Sequence, residues 1–354
     1  MSVPSSADIR VRALWRSSFT APTDNTKVVG YSSDHLHLPR KSIILSNGDA
    51  MKRKKVQNAL IAAGSLLLCA VIVVAAGNLV YYDRYKKSTA SFDITESATD
   101  KRITVMSANV RTWSPLDIGK RSWFYRADLQ IANIASVKPD IIGFQEVTAM
   151  HYNFLTNALK GYDNVIQYRT DGKFAEACPV FYRSDRFTLK DKGSFWLSET
   201  PEVMSKDWGS ACYRICSYAV LTDKASGKDF VVFNTHLDHI SDEARINGIH
   251  VVLDKIKQFG NLPSIIMGDF NADEASDTYK AATALFDDAK YRADDTEKGA
   301  TYQRWGSHLD DENIDYFMIS KTKIKVDTYQ IIDNTYDGVY PSDHFAIALG
   351  IRLE

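Results

Sequence analysis

Side chains that can handle a proton or a phosphate group follow an apolar stretch at residues 265–271 (IIMGDFN). Three apolar residues lead into Gly268, and Asp269 and Asn271 come shortly after it. An apolar run without alternation predicts a strand covered on both faces, and the glycine permits a turn where a side chain would clash. If the extended backbone continues, the carboxylate of Asp269 and the amide of Asn271 point to the same side. There they are suited to positioning and activating a water molecule.

Five other apolar stretches also end or begin in polar groups. These groups are Asn109, Glu146, His236, Asp315 and the pair Asp343-His344. Each has a structural explanation by itself, as a turn residue, a helix cap, a strand start or a buried histidine. Together, convergent carboxylates and two histidines suit a hard divalent cation and proton transfer. We therefore expect one site assembled from strand ends that are far apart in the sequence.

The elements that must position these groups alternate between strands and helices, which predicts an α/β fold. Predicted strands cover residues 103–110, 140–147, 229–238, 265–271, 314–320 and 344–352, with shorter strands between 165 and 220. Predicted helices cover residues 123–137, 148–159, 241–258 and about 273–286. Ser241 is expected to cap the third helix and Gly260 to follow its end.

The net charge of −1 conceals an uneven distribution along the 354 residues. Residues 1–57 carry ten basic and four acidic side chains, whereas residues 91–354 carry 30 basic and 39 acidic ones. An acidic body repels polyanions at long range unless a metal ion or a local basic patch offsets it. The four cysteines contain no CxxC spacing, which argues against a zinc site and favours buried thiols with at most one disulfide.

The N-terminal part predicts attachment to a membrane. Residues 59–80 are almost wholly apolar, and as a helix they would span about 33 Å, the thickness of a bilayer core. We assign residues 58–82 as a transmembrane signal anchor, with a buried core helix as the alternative. The basic block at residues 52–55 favours a cytoplasmic N-terminus, and cleavage of the anchor would release the rest.

The anchor separates segments of different character. Residues 1–57 are a polar, basic segment, expected to be mostly disordered, and either cytoplasmic or an extension upstream of a start at Met51. Residues 83–101 are a polar linker, and residues 102–354 form the globular domain. The expected arrangement is a single-pass protein with its globular domain outside the cytoplasm.

The order of the strand-end motifs resembles the endonuclease/exonuclease/phosphatase superfamily, to which pancreatic deoxyribonuclease belongs. The motifs are Asn109, Gln145-Glu146, Asn234-Thr235-His236, Gly268-Asp269-Phe270-Asn271, Ile314-Asp315-Tyr316 and Ser342-Asp343-His344. Residues 195–201 (FWLSETP) are similar to a bacterial-type branch. The resemblance covers about residues 101–354 and implies a four-layer sandwich of two mixed β-sheets flanked by helices.

The resemblance also implies a metal site. Glu146 corresponds to the principal metal ligand, with Asn109 and Asp343 beside it. Oxygen ligands of this kind favour Mg²⁺, with Mn²⁺ as the alternative.

Further roles follow from the resemblance for residues that would act on water and phosphate. Asp269, oriented by Asn271, would activate the attacking water, and Asn109 belongs to the same catalytic group. His344, paired with Asp315, would contact the scissile phosphate, and His236 would stabilise charge on it. Arg214 is a candidate phosphate contact, with an ordinary surface arginine as the alternative.

The resemblance implies a metal-dependent phosphoesterase that cleaves a phosphodiester or phosphomonoester by in-line attack of water. The substrate branches left open are a nuclease, a sphingomyelinase-like lipid phosphodiesterase and an enzyme for a small phosphate ester. A different class of function is a membrane-tethered module that binds a phosphorylated ligand without turning it over. We expect a monomer.

Overall fold

The computed structural model describes residues 47–93, 101–309 and 313–354. Contacts divide the chain into two compact units, Met1–Ile61 and Ala62–Glu354. Residues 1–46 of the predicted polar segment lie outside the described residues. Residues 47–57, the last part of a segment expected to be mostly disordered, are helical. Their Lys, Arg, Met and Gln side chains lose little rotamer freedom in a helix, which favours this conformation.

Helices occupy a minor part of the described chain. They are α1 (Asn47–Leu79), α2 (Tyr82–Lys86), α3 (Trp123–Val137), α4 (Ala149–Ala158), α5 (Asp242–Lys257) and α6 (Asp277–Leu285). Among the described residues, one helix that includes the predicted anchor is long and apolar enough to cross a membrane. Ser241 caps α5 as predicted, because its Oγ accepts a hydrogen bond from the backbone N–H of Ala244 at 3.2 Å.

The first strands of the domain are β1 (Phe92–Asp93), β2 (Ile103–Asn109), β3 (Ile141–Gln145), β4 (Leu159–Lys160), β5 (Tyr162–Val165), β6 (Val180–Arg183), β7 (Phe187–Trp196) and β8 (Ile215–Asp223). The later strands are β9 (Lys228–His236), β10 (Ser264–Asp269), β11 (Phe286–Asp288), β12 (Asp295–Thr296), β13 (Asp315–Ser320), β14 (Ile324–Ile332) and β15 (Ala346–Leu353).

Most of these strands form two large mixed sheets. The seven-stranded sheet has the order β12-β14-β15-β2-β3-β6-β5, and the six-stranded sheet has the order β11-β13-β10-β9-β8-β7. A parallel pair lies at the centre of each sheet, β2 with β3 and β9 with β10. The strands that flank these pairs are antiparallel to them. The small strands β1 and β4 pair separately.

The two sheets pack face to face and carry helices on their outer faces. Apolar side chains such as Val105, Val232 and Met267 fill the space between the sheets. Residues of α5 and α6 pack against the six-stranded sheet, and residues of α3 and α4 pack against the seven-stranded sheet. The fold is therefore the predicted four-layer sandwich, because each sheet is apolar on both faces and must be covered on both.

The parallel pairs bring the predicted polar residues to one edge of the sandwich. Asn109 pairs with Gln145 at the carboxyl end of β2 and β3, and His236 pairs with Asp269 at the carboxyl end of β9 and β10. The antiparallel strand β13 begins at this same edge, where Asp315 pairs with Asp269. Residues distant in sequence thus meet because parallel strands share a carboxyl edge.

The structure adds elements that the sequence patterns did not predict. Strand β14 was missed, although its sequence IKVDTYQII alternates in part between buried and exposed positions. The predicted polar linker at 83–101 contains most of helix α2 and all of strand β1. Its residues 94–100 lie outside the described part of the chain. All four cysteines carry free thiols.

Candidate active site

The side-chain amide of Asn109 links the two halves of the site. Its Nδ2 donates to Oδ2 of Asp269 at 3.0 Å and to Oε1 of Glu146 at 3.1 Å. Its Oδ1 accepts a hydrogen bond from the backbone N–H of Arg111 at 2.9 Å, which fixes the orientation of the amide. In this structure Asn109 therefore acts as a donor between two carboxylates, and its role as a metal ligand stays a prediction.

Glu146 directs its carboxylate into the site from the loop after β3. Its backbone is in the left-handed region (φ 63°), which bends the chain away from the strand direction. Oε2 accepts a hydrogen bond from the backbone N–H of Thr112 at 2.6 Å. Burial opposes ionisation, but this bond, the bond from Asn109 and nearby positive charge outweigh it and lower the pKa of Glu146. The group is an anion at neutral pH.

Asp269 is a buried carboxylate at the end of β10. Its Oδ1 accepts from the backbone N–H of Asn271 at 2.9 Å. Burial and then the negative charge of Asp315 raise the pKa of Asp269 to about 7. A carboxylate with such a pKa can accept a proton from water near neutral pH.

Asn271 orients Asp269 differently from the prediction. Its backbone is left-handed (φ 49°), so the strand does not continue through Asn271. The side chains of Asp269 and Asn271 therefore lack the i, i+2 arrangement of an extended chain. The backbone N–H of Asn271, not its side chain, holds Asp269. The side-chain Nδ2 instead donates to Nε2 of His236 at 2.8 Å and to the carbonyl of Leu237 at 3.1 Å.

His236 is a neutral imidazole. Burial, followed by the charges of Arg214 and Arg169, lowers its pKa well below the usual value. Its Nε2 accepts the hydrogen bond from Asn271, so the proton is carried on Nδ1. The same Nε2 atom lies 3.4 Å from Oδ2 of Asp269.

His344 forms a buried pair with Asp315. Its Nδ1 lies 2.9 Å from Oδ2 of Asp315, and its Nε2 lies 3.8 Å from Oδ2 of Asp269. Burial opposes the charge on the imidazole, but the carboxylates of Asp315 and then Asp269 raise the pKa of His344 to about 10. Nδ1 donates to Asp315, and the second N–H of the imidazolium points towards Asp269.

Asp343 completes the acidic side of the cleft next to Arg111. Nη1 of Arg111 lies 3.5 Å from Oδ2 of Asp343, and its Nε donates to Oδ2 of Asp117 at 3.0 Å. Burial raises the pKa of Asp343, and the charge of Glu146 acts in the same direction. Two mutually repelling carboxylates on one wall are a suitable environment for a divalent cation.

Two groups of side chains could hold such a cation. Asp269, Asp315 and His344 offer ligand atoms that lie within 4.8 Å of one another. However, a protonated imidazole whose Nδ1 is bound to Asp315 cannot donate an electron pair to a metal. Glu146 and Asp343 are hard oxygen donors that both line the open cleft, and they fit Mg²⁺ or Mn²⁺ better.

Arginines also form part of the wall of the cleft. The cleft is lined by Arg169 and Arg214 in addition to Glu146, His236 and His344. The predicted phosphate contact Arg214 is thus a buried residue of the cleft and not a surface arginine.

Neighbouring side chains hold these arginines in place. Nη2 of Arg214 contacts Nδ1 of His239 at 3.0 Å, and Nε lies 3.6 Å from Oδ2 of Asp238. Arg169 forms an ion pair with Glu176 at 3.0 Å. Arg169 and Glu176 were missed because they lie in a loop without periodicity, and a paired arginine in such a loop gives no sequence signal.

Comparison with known proteins identifies the family. A model of the Endonuclease/Exonuclease/phosphatase family matches residues 117–344, and the chain belongs to that family. Its members are hydrolases of phosphate esters and generally use divalent metal ions.

Solved structures of bacterial proteins share this fold. An endonuclease/exonuclease/phosphatase from Bacteroides vulgatus is 32% identical, with a TM-score of 0.68, and the match covers 72% of this chain and 99% of that one. The mannosyl-6-phosphatase of Bacteroides thetaiotaomicron is also 32% identical, with a TM-score of 0.64 and coverage of 70% and 99%.

Curated relatives match over shorter lengths. The exoribonuclease subunit Ccr4 of the CCR4-Not complex of Schizosaccharomyces pombe is 26% identical over 43% of this chain and 26% of its own length. For two other relatives, the match spans 60% and 42% of their lengths.

Proposed function

We propose that this protein is a metal-dependent phosphoesterase that cleaves its substrate by in-line attack of water. The proposal rests on one observation, the pair of hydrogen bonds by which Asn109 links the carboxylates of Glu146 and Asp269 at the edge of one cleft. The pair His344 and Asp315 lies beside them. A module that only binds phosphate needs positive charge, whereas a buried carboxylate with a pKa of about 7 adds a means of activating water.

Positively charged groups would bind the phosphate before reaction. The imidazolium of His344 would donate from Nε2 to a phosphoryl oxygen, because Asp315 already engages Nδ1. Arg214, which lines the same cleft, would contact a second oxygen. These two contacts orient the phosphorus towards Asp269 and would hold charge that develops in the transition state.

The water would be activated between Asp269 and the phosphate. Asp269 accepts the proton, while the bonds from Asn109 and the backbone of Asn271 hold its carboxylate in place. The neutral His236, held by the side chain of Asn271, would stabilise charge on the phosphate through Nδ1–H.

Glu146 and Asp343 would hold the divalent cation, Mg²⁺ or Mn²⁺. When bound, the cation supplies positive charge that stabilises the phosphoryl oxygens and the leaving group in the transition state.

A small sugar phosphate is the substrate that the comparisons favour. The similarity to the mannosyl-6-phosphatase covers 99% of that chain, whereas the alignment with the exoribonuclease covers 26% of its length. The acidic body also disfavours a polyanion. An RNA phosphodiester is the second candidate, on the strength of the exoribonuclease relative.

Helix α1 would attach the enzyme to a membrane. Its apolar length matches a bilayer, and the basic residues 52–55 on its N-terminal side would place the catalytic domain outside the cytoplasm. Cleavage after the helix would instead release the domain.

The test is hydrolysis by the full chain in detergent, with mannose 6-phosphate, bis-p-nitrophenyl phosphate, an RNA oligonucleotide and sphingomyelin offered in parallel. Each is assayed with Mg²⁺, with Mn²⁺ and with EDTA. Metal-dependent cleavage that is lost in Asp315→Asn and retained in the surface variant Asp254→Asn supports the proposal, and the preferred substrate selects the branch. Phosphate binding without cleavage of any of them would instead support the binding module.

A further inference from the structure

The end of helix α1 is built into the catalytic domain. Asn78, a polar residue within the apolar segment, is buried, and its Nδ2 donates to the carbonyl of Pro115 at 2.7 Å. Its Oδ1 accepts from Oγ of Ser122 at 3.3 Å. A side chain at Gly77 would place its Cβ 2.9 Å from Cβ of Ile118, so glycine allows the helix to approach this loop closely.

Helix α2 continues this contact along α3 and α4. The rings of Tyr81 and Tyr125 lie 4.7 Å apart, and those of Tyr82 and Phe124 lie 5.0 Å apart. Arg84 forms an ion pair with the side chain of an acidic residue of α3 at 3.4 Å. The segment that follows the apolar helix is therefore a docked element with specific contacts, and not a flexible tether.

The loop that receives the helix also forms one rim of the cleft. Residues 110–122 connect β2 to α3, and Arg111 and Thr112 at the start of the loop line the cleft. Asp117 in the same loop accepts the hydrogen bond from Arg111. The loop that contacts helix α1 is therefore the same loop that carries Arg111 and Thr112 into the wall of the active site.

Apolar side chains are exposed on this rim. The exposed fraction is 77% for Leu116 and 41% for Ile118. On the neighbouring loop, which carries Arg169 and Glu176 into the cleft, Phe174 is 65% exposed and stacks on Trp113 at 5.9 Å. Exposed apolar groups gathered at one rim indicate an interaction surface.

The position of the rim along the helix indicates what covers it. Gly77 and Asn78 contact the loop, and the apolar run ends at Val80, so the loop lies about 5 Å inside the end of that run. This is the depth of a bilayer interface. Lys120 and Lys173 flank the apolar residues, as basic residues do on surfaces that meet anionic headgroups.

We propose that the mouth of the cleft lies on the membrane surface, where Leu116, Ile118 and Phe174 enter the bilayer interface. The inference rests on the membrane attachment proposed above. It adds that the cleft has a fixed position next to the lipid, set by the contacts of Gly77 and Asn78. Substrates would then enter at the surface of the membrane.

The experiment uses the full chain reconstituted in vesicles of phosphatidylcholine and phosphatidylglycerol. Cys69 and Cys212 are replaced by serine, and an environment-sensitive NBD label is attached to a cysteine introduced by Leu116→Cys. The control is Leu285→Cys, because Leu285 is 53% exposed at the end of α6, on the outer face of the six-stranded sheet. Quenching by spin-labelled lipid is measured for both.

We expect the label at position 116 to be quenched several times more strongly than the label at 285, with blue-shifted emission. Equal quenching at the two positions would overturn the proposal. In the background of Gly77→Val, quenching at position 116 should fall, whereas Gly64→Val should leave it unchanged, since a Cβ at Gly64 meets no atom within 4 Å.

Turnover of the soluble bis-p-nitrophenyl phosphate is measured in the same samples. The quenching does not depend on catalysis, so an inactive protein with strong quenching at 116 would contradict the proposed chemistry alone. Active protein with equal quenching at 116 and 285 would contradict the membrane surface alone.

Discussion

Nδ2 of Asn109, at the end of β2, lies 3.0 Å from Oδ2 of Asp269, at the end of β10. The hydrogen bond joins the seven-stranded sheet to the six-stranded sheet at the edge where the polar residues meet. The same nitrogen also binds Glu146, so one amide sets the spacing between the proposed metal-binding carboxylate and the proposed general base.

Removal of this amide should impair catalysis more than folding. We expect Asn109→Ala to lower kcat by about 10²-fold at saturating Mg²⁺, because the carboxylate of Asp269 loses a donor that orients it. The control is Asn164→Ala, at a position on β5 where the side chain accepts from Tyr152 away from the cleft. Steady-state kinetics measure the effect, and a kcat within threefold of the parent chain would contradict the role given to Asn109.

Gly268 should tolerate no side chain. Its φ is +143°, and a Cβ would lie 1.9 Å from the backbone oxygen of Thr235 on the neighbouring strand. We expect Gly268→Ala to lower the free energy of unfolding by about 3 kcal/mol or more, since the backbone of a central strand cannot move aside. Gly172→Ala serves as the control, because its nearest contact would be an ordinary 3.5 Å. Denaturant unfolding that gave equal stabilities for the two variants would refute this account.

Arg214 should act in substrate binding. We expect Arg214→Lys to raise KM for the phosphate ester about tenfold with a smaller change in kcat, because lysine keeps the charge but loses the planar, two-pronged donor. Arg292→Lys, on a surface ion pair with Asp287, should leave both constants unchanged. An unchanged KM in Arg214→Lys would show that the guanidinium does not contact the substrate.

His151 should make stability depend on pH. Burial, followed by the charge of Arg126, lowers its pKa to about 3, and its Nδ1 accepts from the backbone of Thr148 in the cap of α4. The imidazole is neutral in the folded protein but binds a proton below about pH 6.5 when unfolded. The stability that it contributes is present above this pH and is lost as the pH falls towards 3.

The test compares the parent chain with His151→Gln, which keeps a capping side chain but does not titrate. Between pH 7.5 and pH 5 the parent should lose about 2 kcal/mol more of unfolding free energy than the variant. Parallel pH profiles for the two proteins would mean that the pKa of His151 is the same in the folded and unfolded states, which would contradict this prediction.

Sequence patterns predicted the α/β class and the strand-end residues because these depend on local periodicity, and the four-layer sandwich was implied by the resemblance to the family. The strands that lead to the site were evident from apolar runs, and the polar groups followed where the runs ended, as at Asn109 and Asp269. The structure shows that parallel pairing of β2 with β3 and of β9 with β10 gathers them at one edge. The apolar helix was equally evident from composition.

Features that depend on contacts between distant segments were beyond the sequence. The left-handed backbone of Asn271 is held by its hydrogen bonds to Asp269 and His236. An asparagine in the sequence does not by itself predict this conformation. The placement of Arg169 in the cleft and the docking of Gly77 against Ile118 likewise arise from segments that meet only in the folded chain.

In the proposed mechanism, Glu146 holds a divalent cation that is needed for hydrolysis of a phosphate ester. The most direct measurement is turnover of the full chain and of Glu146→Gln as a function of Mg²⁺ concentration, with Glu199→Gln as the control. The account predicts Mg²⁺-dependent hydrolysis in the parent and the control, and a loss of about 10³-fold in Glu146→Gln with the fold intact. Undiminished turnover by Glu146→Gln, or hydrolysis that EDTA does not affect, would contradict it.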